Sequence, residues 1–361
     1  AREIAGALVQ AEQPLVVTSY LGRSALAVRE LLGLAEALGI GVLESVPNYM
    51  NFPTTHPCYQ GVQWNERRQN EALARADVVL VLDSDVPWIG EVSRPREDAR
   101  IFHVDVDPLK EQMPLWYVGA QLQCQADAAQ ALSQIRRAID EFGPDPERIA
   151  ARRRRLAASH EAWQRGVGER EAPRASLTAE HLVACIRDAV GEDAIVVSEA
   201  VTNFHVVSQH MRRTQAGTMF SSGGGSLGYA GGAAVGVKLA RPDALVVAIC
   251  GDGSYLFSQP STVHWMSRAY QAPFLHVVLN NGGWRAPRQA VLSVHPDGVA
   301  AGAPHIDTDF PQPPDYAGIA GAAGGAHAET VRAVAEVKPA LDRALRAIRE
   351  GRSAVIDAHI Q

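Results

Sequence analysis

Two short turn sequences contain residues that could hold a metal ion. Asp252, in the turn GDGS, follows the apolar run ALVVAIC, and Asn280 and Asn281 follow the apolar run FLHVVL. A helix-like segment of normal crossover length joins the two runs, which predicts parallel strands whose carboxyl ends share one sheet edge. A carboxylate and an amide oxygen suit Mg²⁺, which takes few protein ligands and completes its octahedron with phosphate oxygens and water. Each turn alone is ordinary, but the pair predicts a site for magnesium and phosphate.

A glycine-rich stretch upstream, SSGGGSLG at 221–228, matches the dinucleotide-binding pattern GxGxxG at Gly223, Gly225 and Gly228. That pattern must directly follow a buried strand and open a helix. The preceding segment, QHMRRTQAGTMF, is too polar for a central buried strand, so we expect the required strand to be missing. An NAD-dependent oxidoreductase is therefore the alternative function rather than the first interpretation.

The elements that must position these residues alternate between strand and helix in two series. The first series predicts strands at 14–18, 77–82 and 101–106 and a helix at 26–38. The second predicts helices at 179–190, capped by Thr178, and at about 331–349, and strands at 194–197, 244–250, 274–279 and 354–359. The alternation predicts an α/β protein with two doubly wound parallel-sheet domains. We predict a first domain at 1–160, a linker at 161–177 and a second domain at 178–361.

Composition narrows the class of partner. The net charge of −6 disfavours nucleic acid as the main partner, because phosphate binding needs clustered positive charge. No apolar run reaches the roughly 20 residues that cross a bilayer, so we expect no membrane insertion. The four cysteines form no CxxC pair, which indicates neither a zinc site nor a disulfide framework and favours a cytoplasmic setting. The first residues, AREIAGALVQ, are typical of neither a signal peptide nor a natural start.

The GDGS turn, the spacing from Ser254 to Leu279 and the following NN resemble the signature of thiamine-diphosphate-dependent enzymes. The stretch SSGGGSLGYAGGAAVG is similar to the glycine-rich segment that precedes GDG in the acetolactate synthase, benzoylformate decarboxylase and pyruvate decarboxylase group. SEAVTNF resembles the diphosphate-contacting loop of that group, and ADVVLVLDSDVPW and HVDVDP resemble its middle domain. The resemblance implies a six-stranded parallel middle domain followed by a thiamine-diphosphate-binding fold.

The resemblance also implies roles for individual residues. Asp252, the Asn281 side chain and the Gly283 carbonyl would bind Mg²⁺. Leu227 would be an apolar wedge between the two cofactor rings, and the Gly225 carbonyl would accept a hydrogen bond from the pyrimidine amino group, which makes these two the catalytic candidates. The remaining cofactor contacts would come from Val201, Thr202, Gly251, Gly253 and Ser254. Residues after NNGG approach the substrate in this group, which nominates Trp284, Arg285 and Arg288, since an arginine could bind a carboxylate in a bidentate manner.

The implied function is decarboxylation of a 2-oxo acid, or transfer of the resulting acyl anion to an aldehyde or ketone. Proteins of this group carry a pyrimidine-binding domain before the other two domains, and this sequence does not resemble it. We therefore expect that domain on a separate chain or on a missing N-terminal segment, and we expect a homo- or hetero-oligomer. Residues 1–150 contain no glycine-rich phosphate loop, so FAD is not expected there. A non-catalytic subunit that keeps the cofactor fold is a further alternative, opposed by the joint presence of Asp252, Asn281 and Leu227.

Overall fold

The computed structural model describes residues 1–63, 68–113, 118–223, 226–303 and 306–361. The chain divides into two compact units, one formed by Ala1–Glu169 with Arg212–Gly217 and the other by Arg170–Met211 with Thr218–Gln361. The division at Glu169 falls inside the predicted linker 161–177, and the bounds 1–160 and 178–361 stay predictions.

The first unit is built on a parallel sheet. Its helices and strands are α1 Arg2–Gln10, β1 Pro14–Thr18, α2 Ala25–Leu38, β2 Gly41–Ser45, β3 Tyr59–Gln63, α3 Glu71–Arg75, β4 Val78–Leu82, β5 Arg100–Asp105, β6 Leu122–Gln125, α4 Ala128–Ala138 and α5 Pro146–Glu171, the last ending two residues inside the second unit. The described strands lie in the order β3-β2-β1-β4-β5-β6, and every pair is parallel. Ser24 caps α2, and Gly39 ends it in the left-handed conformation.

The second unit repeats this architecture. Its elements are α6 Ala179–Val190, β7 Ile195–Glu199, α7 Phe204–His210, β8 Met219–Ser221, α8 Tyr229–Ala240, β9 Val246–Gly251, α9 Asp252–Phe257, α10 Pro260–Ala269, β10 Leu275–Asn280, α11 Arg285–Val294, α12 Val299–Gly302, α13 Tyr316–Gly324, β11 His327–Val331, α14 Val334–Arg349 and β12 Ala354–His359. The described strands lie in the order β11-β12-β10-β9-β7-β8, all parallel. The prediction of an α/β protein with two parallel-sheet domains is confirmed.

The expectation that no strand precedes the glycine-rich stretch is wrong. Met219–Ser221 forms β8, and α8 begins at Tyr229 behind Gly228. Among the described strands it pairs with β7 alone, at the edge of the sheet, where a strand can be short and needs no continuous apolar run. The last helix begins at Val334 rather than at about residue 331, because β11 occupies the residues up to Val331.

The centre of the second sheet fixes where the functional residues emerge. β9 and β10 are neighbours in parallel register, with Leu279 opposite Gly251, as the sequence predicts. The chain leaves β7 toward β8 on one side and returns to β9 on the other, so the topological switch point lies between β7 and β9. Open α/β sheets bind ligands at the carboxyl ends of the strands beside such a point.

Among the described residues, no helix has both the length and the apolar character that crossing a bilayer requires.

Candidate active site

A cavity of about 320 Å³ lies at the carboxyl ends of β7, β9 and β10. Its lining includes every predicted cofactor residue that the structure describes: Val201, Thr202, Leu227, Gly251, Asp252, Gly253, Ser254, Asn281 and Gly283. Gly225 lies outside the described residues. Helix α11 contributes lining residues that the sequence analysis did not identify, among them Pro287 and Ala290. Residues distant in sequence therefore meet in one pocket at the switch point.

Asp252 is the first residue of α9 and is almost fully buried. Its Oδ1 accepts the Gly253 N–H at 2.9 Å, and its Oδ2 accepts the Gly283 N–H at 2.8 Å. Burial raises the pKa of the Asp252 carboxyl, and these peptide N–H groups oppose the rise. The carboxylate thus joins the GDG turn to the loop after β10.

Asn281 presents a side-chain oxygen that has no hydrogen-bond partner among the described residues. Its Oδ1 is buried and forms no hydrogen bond with any described residue. A buried amide oxygen without a partner costs free energy unless something outside the chain satisfies it. Within the described ranges, no group of three or more His, Cys, Asp and Glu side chains could hold a metal. A cation here would therefore rely on amide and backbone oxygens beside the Asp252 carboxylate.

Glycine is required in the loop that follows Asn281. Gly282 and Gly283 have φ of 78° and 152°, where side chains are strained. A Cβ on Gly283 would lie 2.2 Å from the Thr308 carbonyl oxygen, because the loop pairs with the segment around Asp309. The NNGG sequence therefore specifies both the Asn281 side chain and a backbone that can turn sharply beside it.

The buried Glu199 fixes the start of α8, directly after Leu227 in the cavity wall. The Glu199 carboxylate, at the end of β7, accepts the N–H groups of Gly228 and Ala230 at the start of α8. Burial raises the pKa of Glu199, and these hydrogen bonds act against the rise. The Ser254 hydroxyl donates to the Glu199 carbonyl at 3.2 Å. Sequence reasoning missed this cap, although a glutamate after the apolar run IVVS is an unusual buried charge that signals it.

The Trp284 indole lies against the GDG turn. A Cβ on Gly253 would come within 2.3 Å of Trp284 Nε1, so only glycine leaves room for the ring. The ring also meets the Phe310 ring edge-on, with centroids 4.7 Å apart. Of the three predicted substrate residues, Trp284 alone is in the lining of the cavity.

The two candidate arginines are placed differently. Arg285 Nη1 pairs with Asp309 Oδ1 at 2.7 Å, and its Nε donates to the Asn281 carbonyl at 3.2 Å. Arg288 is not in the lining, and its buried Nη1 has no hydrogen bond with any described residue. The helix α11 residues in the lining, such as Pro287 and Ala290, share one face, and at 100° per residue Arg288 falls outside it.

Arg285→Ala is expected to weaken the binding of a divalent cation at the predicted site by about fivefold or less. The guanidinium joins the Asn281 carbonyl to the Asp309 segment, but the ion pair is partly exposed and contributes only about 1 kcal/mol or less. Titration with Mn²⁺ in the presence of inorganic diphosphate measures the change, and Asp309→Asn is the matched variant that removes the charge of the pair. Unchanged metal affinity with a higher KM for substrate would show instead that Arg285 binds substrate.

Comparisons with known proteins point to one family. Residues 200–358 match the profile described as thiamine pyrophosphate enzyme, C-terminal TPP binding domain, and residues 1–135 match the profile described as thiamine pyrophosphate enzyme, central domain. The chain is similar to the acetolactate synthase large subunit of Corynebacterium glutamicum, with 26% identity over 78% of this chain and 44% of that protein. It is also similar to sulfoacetaldehyde acetyltransferase of Castellaniella defragrans, with 26% identity over 97% of this chain and 60% of that protein.

A solved structure shares the fold. The thiamine diphosphate-dependent 4-hydroxybenzoylformate decarboxylase of Rhodococcus jostii superposes with a TM-score of 0.76 at 21% identity, over 99% of this chain and 63% of that one. The chain spans 44% and 60% of the lengths of the two curated relatives above.

Proposed function

The chain belongs to the thiamine pyrophosphate enzyme family, and from that membership we propose that its protein uses thiamine diphosphate and Mg²⁺ to break or form a carbon–carbon bond beside the carbonyl of a 2-oxo acid. The single observation that carries the proposal is the buried Asn281 Oδ1, which no described residue satisfies, in the same cavity as the Asp252 carboxylate. A carboxylate oxygen and an amide oxygen suit a hard cation that also binds the oxygens of a diphosphate.

The residues present fit the metal. Asp252 supplies one charged oxygen and Asn281 a neutral oxygen that nothing described satisfies, and we propose the Gly283 carbonyl as a third ligand. A site with one carboxylate leaves most of the ion's coordination to diphosphate oxygens and water, as Mg²⁺ sites commonly do. The metal would therefore bind together with the diphosphate rather than alone.

The residues also fit an organic cofactor. The cavity volume of about 320 Å³ lies at the lower end of the range for ligand pockets, and its wall combines the apolar Val201 and Leu227 with the polar Thr202 and Ser254. When bound, thiamine diphosphate supplies the electron sink that stabilises a carbanion next to a former carbonyl carbon. The protein holds the diphosphate through the loop 281–283, called here the metal loop. It also places Leu227 against the cofactor rings and excludes water. Gly225 keeps its proposed role as a carbonyl acceptor for the pyrimidine.

We propose that the pyrimidine-binding half of the site comes from a segment or subunit outside this sequence, and that the working enzyme is an oligomer. The supporting observation is that the family matches cover a central and a C-terminal domain. A location in the reducing cytoplasm is proposed on the four free cysteines.

The purified chain on its own is expected to bind thiamine diphosphate weakly and to turn over no 2-oxo acid, because the group that binds and activates the pyrimidine is supplied elsewhere. Release of CO₂ from a panel of 2-oxo acids measures turnover, before and after addition of a pyrimidine-binding domain. Full activity of the isolated chain would contradict this proposal.

We propose that the residues around Trp284 determine whether the enzyme decarboxylates its substrate or joins it to an aldehyde or ketone. The relatives include both a decarboxylase and synthases or transferases, so the family membership leaves both classes open. We propose that Trp284 limits the size of the substrate group that can lie over the GDG turn, because its ring lines the cavity there.

Calorimetry tests the proposed cofactor directly. Saturable binding of thiamine diphosphate is expected in the presence of Mg²⁺ and is expected to disappear with EDTA, whereas NAD is expected to give no heat. Binding of NAD, or of thiamine diphosphate equally well without a divalent cation, would contradict the proposal and favour an oxidoreductase or a metal-independent site.

A further inference from the structure

Asn280, the first asparagine of the NN pair, is buried and is absent from the lining of the cofactor cavity. Its side chain instead forms part of a hydrogen-bonded network behind the metal loop. The Gly282 N–H donates to Asn280 Oδ1 at 3.1 Å, and Asn280 Nδ2 donates to Asp357 Oδ1 at 2.9 Å. Asp357 lies on β12, the strand next to β10, and is itself buried.

The partner of Asn280 determines how the amide is oriented. A carboxylate can only accept, so the Asn280 amide must turn its NH₂ group toward Asp357. Its oxygen is then the atom that remains for the Gly282 N–H. Gly282 is the residue between the two proposed metal ligands Asn281 and Gly283, so the contact with Asp357 is transmitted to the middle of the metal loop.

The second oxygen of Asp357 is also engaged. His359 Nε2 lies 3.3 Å from Asp357 Oδ2, and Arg332 Nη1 donates to His359 Nδ1 at 3.0 Å. Because arginine only donates, Nδ1 is the unprotonated nitrogen and Nε2 carries the hydrogen toward the carboxylate. Asp357 is thus oriented from both sides, by Asn280 and by His359.

Burying the Asp357 carboxylate in this strand costs free energy, and apolar packing does not offset that cost. Asp357 interrupts the apolar sequence AVIDAHI, and moving a carboxylate out of water is unfavourable unless it is paired or hydrogen-bonded. Its described contacts lead to the metal loop on one side and to His359 on the other. Groups that orient metal ligands without touching the metal commonly change metal affinity by about 10- to 100-fold.

We propose that Asp357 is a positioning residue for the metal loop: through Asn280 it holds Gly282 and thereby sets the affinity for the Mg²⁺–diphosphate unit. The proposal rests on the proposed function of the site, because it takes Asn281 and Gly283 as the metal ligands. Removing Asp357 leaves Asn280 Nδ2 buried without an acceptor, so the amide is free to rotate and release Gly282.

The test measures the binding of Mn²⁺ with inorganic diphosphate to the purified chain, and electron paramagnetic resonance of Mn²⁺ is the readout. This readout needs neither turnover nor the pyrimidine-binding domain. Asp357→Leu is expected to weaken Mn²⁺–diphosphate binding about tenfold or more. Asp357→Asn keeps one oxygen, which can accept from Asn280 only if its NH₂ group faces His359 Nε2, so we expect a smaller loss of about threefold to tenfold.

A second measurement of probe affinity uses variants that exchange the donor Asn280 and the acceptor Asp357. It also tests the proposal if Asp357→Leu does not fold. Asn280→Asp places two buried carboxylates side by side and is expected to weaken binding about tenfold or more. Adding Asp357→Asn to it restores one donor and one acceptor in exchanged positions and is expected to recover most of the affinity. A purely structural role predicts lower thermal stability without this recovery of binding.

The outcomes separate the two proposals. If the wild type binds the probe, Asp252→Ala abolishes binding and Asp357→Leu binds as tightly as the wild type, the positioning role is overturned and the metal site stands. Failure of the double variant to recover any affinity also overturns the positioning role. If the folded wild type does not bind Mn²⁺–diphosphate, the proposed metal site itself is wrong.

Discussion

Asp252→Ala is expected to lower the affinity for thiamine diphosphate with Mg²⁺ by about 100-fold or more. Substitutions of groups that merely orient a metal ligand already cost about 10- to 100-fold, and this change removes the only charged ligand proposed. It also leaves the Gly283 N–H without its acceptor, since Asp252 Oδ2 receives that hydrogen bond at 2.8 Å. Calorimetry at saturating Mg²⁺ measures the loss.

Asp252→Asn is the matched control, because an amide keeps one oxygen for the Gly283 N–H and loses the charge. We expect this variant to retain the fold, judged by thermal unfolding without cofactor, and to bind the cofactor far more weakly than the wild type. Tight binding by a folded Asp252→Ala protein would show that the cation is held elsewhere and would remove the basis of the assignment.

Leu227→Ala is expected to reduce turnover by about 100-fold in the assembled enzyme while changing cofactor affinity much less. The side chain lines the cavity next to α8, and its proposed role is to fix the relative position of the two cofactor rings. Displacements of about 1 Å between reacting groups can cost about 100-fold in rate. The diphosphate is held through Asp252 and Asn281, so binding depends little on Leu227.

Leu227→Ile keeps an apolar branched side chain of the same volume and is the control, with turnover expected within about threefold to tenfold of the wild type. Measurements of kcat and of the cofactor dissociation constant separate the two effects. Equal losses of affinity and turnover in Leu227→Ala would show that Leu227 contributes to binding alone, and unchanged turnover would remove it from the catalytic candidates.

The central strands could be predicted from the sequence because they are buried on both faces. Runs such as Val78–Leu82 and Leu275–Asn280 are almost continuously apolar, and their neighbours in a parallel sheet must be joined by helices. The sequence pattern did not reveal the described edge strands β3, β6, β8 and β11. It also missed β2, which is buried but whose short sequence, GVLES, is only partly apolar. An edge strand is specified by pairing with its neighbour, and this leaves little trace in the sequence.

The candidate site likewise contains residues that the sequence predicts and residues that it does not. Asp252 and Asn281 could be predicted because each follows a recognisable buried strand, and both line the cavity. The pairs Arg285–Asp309 and Asn280–Asp357 join segments distant in sequence, and only the folded chain brings them together. Asp357 still left a signal, since a carboxylate inside an apolar strand needs a buried partner.

The hydrogen bond from Gly283 to Asp252 has a consequence for how the unit responds to its ligand. Two consecutive glycines have a large conformational entropy in a free chain, and the hydrogen bond from the Gly283 N–H to Asp252 Oδ2 holds the pair Gly282–Gly283 in one conformation with positive φ. We therefore expect the loop to act as a preorganised receptor, with little of the binding free energy spent on ordering it. Amide hydrogen exchange at Gly283 should accordingly be slow in the apo protein and should slow only slightly further on saturation.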